Sequence, residues 1–148
     1  MEFKDRQVVV TGGTGALGRA VVGALIGAGA HCHVSYVVEA EAQAFPHKTS
    51  VTLVPVSDLA DEAAVGKLYG GVRGLWASIH LAGGFAMNPI GATDAKALRQ
   101  QIDANFVSCF LCCRAAAVAM ARGGGGRIVN VAARPALEPR SGAGMVAY

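Results

Sequence analysis

Charge is scarce in this chain. Only 16% of its 148 residues are Asp, Glu, Lys or Arg, against 53% hydrophobic. That balance excludes intrinsic disorder, because ample apolar surface is available to offset the entropy of ordering the chain. Basic clusters are absent as well. The formal net charge of +3 is spread without a block of Lys or Arg, so no nucleic-acid partner is expected. Unbroken apolar runs are short, and Gly, Arg, Lys or Asp interrupts each before the roughly 20 residues of a membrane span. No membrane segment is therefore expected. Met1 to Gln7 is charged and Val8-Val9-Val10 is too short for the apolar region of a signal peptide. The expectation is a cytoplasmic protein. Its four cysteines are Cys32, Cys109, Cys112 and Cys113. Two of them are adjacent and no pairing framework is visible, so free thiols are expected.

What is present is a regular alternation. The length suits one domain, residues 1–148, large enough to bury a core. Val8 to Thr11 reads as a short buried strand, followed by a glycine-rich turn over Gly12 to Gly18 and a helix over Arg19 to Gly27. Gly29 is a C-terminal stop. Further strands are predicted over His31 to Val38, Ser50 to Val56, Leu75 to Leu81 and Arg127 to Ala132. Helices are predicted over Glu39 to Phe45, Asp58 to Leu68 with Asp58 as N-cap, and Thr93 to about Ala121. In the last of these, Leu98, Ile102, Phe106, Cys109, Phe110, Cys113, Ala117 and Met120 recur at helical spacing. Strands that alternate with helices imply an α/β fold: a doubly wound, Rossmann-like parallel sheet of five strands with helices on both faces.

The turn after the first strand carries chemistry. Gly13, Gly15 and Gly18 satisfy G-x-G-x-x-G, and Gly12, Gly15 and Gly18 satisfy a related spacing. A strand must turn sharply into a helix there, and backbone N–H groups must approach a pyrophosphate with no Cβ in the way. The helix N-terminus then adds partial positive charge. The motif follows a strand and opens a helix, which is the context that gives it meaning.

At this point the sequence resembles the short-chain dehydrogenase/reductase family, over essentially the whole chain. Thr11-Gly12-Gly13-Thr14-Gly15-Ala16-Leu17-Gly18 resembles the family's cofactor loop, with Ala16 where many members carry Gly. Asp58-Leu59-Ala60-Asp61 resembles its acidic segment, where Asp58 would hold the adenine amino group with the Leu59 backbone nearby. Leu81-Ala82-Gly83-Gly84 resembles its Asn-Ala-Gly segment, with Leu81 in place of Asn. Asn105 falls where the family has its helix asparagine, and Gly126 to Val131 is similar to its fifth strand. Tyr148 stands where the Tyr-x-x-x-Lys signature begins.

The resemblance implies an oxidoreductase that interconverts an alcohol and a carbonyl by hydride transfer with NAD(P)(H). Tyr148 would be the acid/base, Asn105 part of a proton relay, and a serine the oxyanion donor. That serine position aligns with Ala133, leaving Ser141 in the following loop as the substitute. The signature lysine would fall at 152, past the last residue, 148, so the sequence is expected to be part of a longer protein. Cofactor choice between NAD and NADP turns on the end of the second strand, where an acidic residue favours NAD. Tyr36 occupies that position, and Glu39 follows with no Arg or Lys close by, a lean toward NAD. The family also implies a small carbonyl or alcohol substrate and a homo-oligomer, dimer or tetramer, formed through the long helix. Two rivals stand beside this reading. One is a dinucleotide-binding sensor without catalysis, suggested by Ala133; the other is an extended-type sugar-nucleotide epimerase or dehydratase, suggested by the Gly12, Gly15, Gly18 spacing. No metal is expected: Cys109, Cys112 and Cys113 lie within the long helix, where small thiols pack well.

Overall fold

A computed structural model describes residues 3–145. Its sheet has five strands: β1 (Gln7–Thr11), β2 (His31–Tyr36), β3 (Thr52–Pro55), β4 (Leu75–His80) and β5 (Arg127–Asn130). They lie in the order β3-β2-β1-β4-β5, and every pairing is parallel. The pleat of β1 explains its run of valines. Val8 and Val10 face one side with Val22, Leu25, Val34 and Phe45, while Val9 faces the other with Leu68, Leu111 and Ala116. All three valines are fully buried. A central strand covered on both faces cannot alternate apolar and polar residues. Burying each valine side chain contributes roughly 1.5 kcal/mol or more.

The helices are α1 (Ala16–Gly27), α2 (Glu39–Gln43), α3 (Glu62–Gly70), α4 (Ala95–Ile102) and α5 (Ser108–Ala121). Helix α1 stops at Ala28, and Gly29 follows in the left-handed region at φ +89, as the sequence implies. The cap of α3 is Asp61, whose carboxylate accepts from the Ala63 N–H. The sequence pattern assigns that role to Asp58, which lies one turn earlier. Asp58 instead accepts from the Ala60 N–H at 2.8 Å, a local turn that competes with helix formation. Asp94 caps α4 in the same way, accepting from the Ala97 N–H at 2.7 Å.

Helices α4 and α5 are joined without a break by a π-helical segment, Asp103–Val107. The continuous helix Ala95–Ala121 has 27 residues, and its most apolar 18-residue stretch has a mean hydropathy of 1.6, so by length and composition it could cross a membrane. The interruptions visible in its sequence do not stop it. One such helix is weak evidence for a membrane, and this one packs on the sheet: Leu111, Cys112, Ala116 and Met120 join the core with Val9 and Leu75. Its regularly spaced residues Leu98, Ile102, Phe106 and Phe110 are exposed. Helix α5 is apolar nearly all round, so periodicity does not choose its buried face; close approach to the sheet selects the small side chains Cys112 and Ala116.

Beyond β1, the order jumps to β2 on one side and β4 on the other. Connections therefore leave the C-terminal ends of β1 and β4 in opposite directions and open a crevice between them, the usual ligand position in such sheets.

Candidate functional site

The crevice is floored by the loop from Gly12 to Gly15. Thr11 ends β1 fully buried, and its carbonyl accepts from the Leu81 N–H at 3.0 Å. Gly12 then takes φ +68, and a Cβ there would stand 2.6 Å from the Ala82 nitrogen. A Cβ on Gly13 would stand 2.6 Å from Val34 Cγ1. A Cβ on Gly18 would collide with the carbonyl oxygens of Gly12 and Gly13. Each glycine thus answers a separate close approach: loop to β4 segment, loop to β2, and helix α1 to the loop. The N-cap of α1 is Gly15, extended at φ −70, and no side chain caps the helix. An uncapped helix start of this kind favours an anion at its first N–H groups. The loop is braced from outside: Arg19 Nε donates to the Thr14 carbonyl at 2.9 Å, and Thr14 Oγ1 donates to Glu41 Oε2 at 2.9 Å. Ala16 and Leu17 form the first turn of α1, and Leu17 is exposed.

Along the crevice runs a cavity of about 270 Å³, lined by Gly12, Thr14, Gly15, Tyr36, Leu59 and Ala82 among others. Leu59 is buried there and also belongs to the core. Asp58 is exposed and does not line it. At the rim, the Tyr36 phenol hydrogen-bonds the Glu39 carboxylate, which raises the Tyr36 pKa; the Gln43 hydrogen bond, and after it the Tyr36 bond, lower that of Glu39. Among the described residues, no Lys or Arg lines this cavity.

The β4 side is held by Asn105. Its Oδ1 accepts from the Gly84 N–H at 2.9 Å, and its Nδ2 donates to the Gly84 and Gln101 carbonyls, each at 3.0 Å. A Cβ on Gly83 would stand 2.7 Å from Asn105 Oδ1. The π-helical turn that carries Asn105 aims the amide at this loop, and such turns often mark functional positions. A second cavity of about 500 Å³ opens on the far side of Ala82 and Asn105, walled by Asn130, Ala132, Ala133 and Pro135.

Structure therefore brings together Gly12, Thr14, Gly15, Tyr36, Leu59, Ala82 and Gly83 around one cavity, with Asn105 and Gly84 adjoining. Ser141 is not among them. It sits in the 3-10 turn Pro139–Gly142, its hydroxyl donates to the Glu138 carbonyl at 2.7 Å, and it does not line the larger cavity. Tyr148 lies outside the described residues. Unforeseen from the sequence are Glu41, bound to Thr14, and a buried polar line leading into the larger cavity. In that line, Tyr69 hydroxyl meets Ser78 Oγ at 2.7 Å, Ser78 Oγ meets His80 Nε2 at 2.8 Å, and His80 Nδ1 meets Asn130 Oδ1 at 2.7 Å. Desolvation holds the His80 imidazole below its usual pKa, opposed by the Asn130 hydrogen bond. Strand alternation puts Ser78 and His80 on one face; their partner Tyr69 on α3 is visible only in three dimensions.

The doubly wound sheet carries a glycine cradle at its switch point, where such sheets take ligands, and the cradle has room for a pyrophosphate because three Cβ positions are excluded around an uncapped helix start. The family model described as short chain dehydrogenase matches residues 6–148, and the chain belongs to that family. It is similar to a short-chain dehydrogenase/reductase of Mycobacterium ulcerans at 27% identity and TM-score 0.82, covering 92% of this chain and 54% of that one. A short-chain dehydrogenase/reductase of Burkholderia xenovorans is similar at 25% identity and TM-score 0.88, covering 99% and 62%. One from Serratia marcescens shares the fold at 23% identity and TM-score 0.82, covering 92% and 58%. The chain thus spans between 54% and 62% of the length of these structures. No curated protein matches the sequence.

Proposed function

We propose that this chain is the nucleotide-binding part of an NAD(P)-dependent oxidoreductase that interconverts an alcohol and a carbonyl on a small molecule. One observation carries the reading: the glycine cradle and the cavity of about 500 Å³ meet at Ala82, with Asn105 on the wall of the second. A dinucleotide held along the first would present its reactive end to the second. The nicotinamide supplies the hydride donor or acceptor. Thr11 to Gly18 hold the pyrophosphate, and Leu59 and Asp58 flank the adenine side. Asn105 fixes the Gly83-Gly84 loop. Tyr148 is the acid/base. A phenol with pKa of about 10 needs a nearby cation to act at neutral pH, so a lysine four residues further on is part of the reading.

NAD is favoured over NADP. Glu41 lines the cradle and Glu39 pairs with Tyr36 at its rim, and carboxylates there repel a 2′-phosphate while accepting from a ribose hydroxyl. A homo-oligomer formed through the long helix is supported by the outward Phe106, Phe110 and Val118.

The test is fluorescence titration of the purified protein with NADH and NADPH, followed by turnover assays across simple carbonyl substrates. Micromolar binding of NADH, turnover, and loss of turnover but not of binding in Tyr148→Phe are expected. Full activity in Tyr148→Phe would remove the catalytic assignment. A second reading, a non-catalytic dinucleotide sensor, is favoured by Ala133 at the family's serine position and by the engagement of Ser141 elsewhere. Tight NADH binding without turnover on any substrate would select it.

A further inference from the structure

We propose that His80, Cys109 and Cys113 form a binding site for one Zn²⁺-class ion on the wall of the larger cavity. Their ligand atoms, one from each side chain, all lie within 4.8 Å of one another. Cys109 and Cys113 are one turn apart on α5, the spacing that places two side chains on one helical face. His80 reaches them from the end of β4, with Nδ1 at 3.6 Å from Cys113 Sγ. A tetrahedral ion with metal–nitrogen and metal–sulfur bonds of about 2.05 and about 2.3 Å holds such atoms about 3.5 Å apart. The pair is therefore already spaced as ligands of one ion.

Two further features suit a ligand histidine. Its other nitrogen, Nε2, is fixed by Ser78 Oγ at 2.8 Å and by the Tyr69 hydroxyl at 3.2 Å, all three residues being buried. A hydrogen bond from the distal ring nitrogen is what orients metal-bound imidazoles. Asn130 stands beside both donors, with Oδ1 at 2.7 Å from His80 Nδ1 and Nδ2 at 3.5 Å from Cys113 Sγ. Its amide can donate to a thiolate once Nδ1 turns its lone pair to a metal. Access exists, because His80, Cys109 and Asn130 all line the cavity.

The donor set selects the ion. Two thiolates and a neutral imidazole give an uncharged complex with a divalent cation, and soft sulfur excludes Mg²⁺ and Ca²⁺. On binding, each thiol releases its proton to solvent. The imidazole keeps one proton, carried on Nε2 toward Ser78, while Nδ1 forms the metal bond. Both thiols are free to take part, since neither is in a disulfide. The inference does not depend on the nucleotide reading.

The experiment is titration of the chelator-treated protein with Co²⁺, without nucleotide, followed by displacement with Zn²⁺. One equivalent should produce near-ultraviolet sulfur-to-metal charge-transfer bands and tetrahedral visible bands, both erased by Zn²⁺. Cys109→Ser with Cys113→Ser should abolish the charge-transfer bands, and His80→Ala should weaken binding about a hundredfold. Cys32→Ser should change nothing, because Cys32 lies in the opposite core. On the unaltered protein, Zn²⁺ should protect Cys109 and Cys113 together from alkylation, read by peptide mass spectrometry. That measurement decides the matter even if the double variant fails to fold. Absence of charge-transfer bands, or bands that survive the double substitution, overturns the site, as does unprotected alkylation of either thiol.

Discussion

The two sides of the crevice are built from different materials. On the β1 side the wall is backbone: Gly12, Gly13 and Gly18 bring main chain against main chain or against the Val34 side chain, and Val8, Val9 and Val10 beneath them are fully buried. On the β4–β5 side the wall is side chains: Asn105, His80, Asn130 and the half-buried Cys109 and Cys113. All four residues of β5 are exposed, against one partly exposed residue in β1. The first wall is shaped by what is missing, the second by what each residue reaches. The first should therefore tolerate no added atoms, and the second should respond to lost polar contacts.

The largest effect expected is on the β1 wall. Gly18→Val places atoms where the Gly12 and Gly13 backbone already stands, which should destabilise by about 3 kcal/mol and eliminate NADH binding. Urea unfolding and a binding titration check both. On the other wall, Asn105→Ala removes three hydrogen bonds to the Gly84 and Gln101 backbone. We expect a loss of about 2 kcal/mol, with NADH affinity reduced and not abolished. If Gly18→Val proves the milder of the two, the contrast between walls is wrong.

A smaller effect follows from pH. His33 on β2 has its pKa lowered by desolvation and by the His31 charge, and its ring meets Gln7 Oε1 at 2.9 Å. The unfolded chain then binds a proton that the folded chain resists. Stability from this group is present above the ordinary value of 6.5 and is lost as pH falls below it toward the depressed folded value. His80 is shifted in the same direction. Urea midpoints measured between about pH 7.5 and about pH 5 should fall on the acid side, and His33→Gln should lessen the fall without removing it. The smallest effect belongs to Ser141→Ala. That hydroxyl bonds only the Glu138 carbonyl of its own turn, so stability should change by less than about 0.5 kcal/mol. Turnover, where measurable, should be unchanged; a large drop would return Ser141 to the site.

Local pattern was enough for much of the molecule. The valine run of β1, the glycine turn and the Gly29 stop each follow from backbone sterics within a few residues, and the order of strands and helices follows from periodicity. The parallel sheet was legible for the same reason, and so were Gly12, Gly15 and Ala82 as neighbours in one crevice. Two local competitions were not. Asp58 and Asp61 are both sound caps, and only the turn at Ala60 shows which one serves the helix. The apolar helix α5 offers no polar face by which to choose its orientation, so Phe110 points outward and Cys112 inward against the sequence periodicity.

Sequence by itself determined the family, the doubly wound sheet and the glycine cradle, because each is written in residues close together along the chain. Tertiary structure alone decided which side chains converge. It set Ser141 apart from the cavity, tied Asn105 to the Gly84 backbone, and brought His80 from β4 to Cys109 and Cys113 on α5. Those meetings depend on how a helix is rotated and how far it lies from the sheet, and packing against distant residues fixes both.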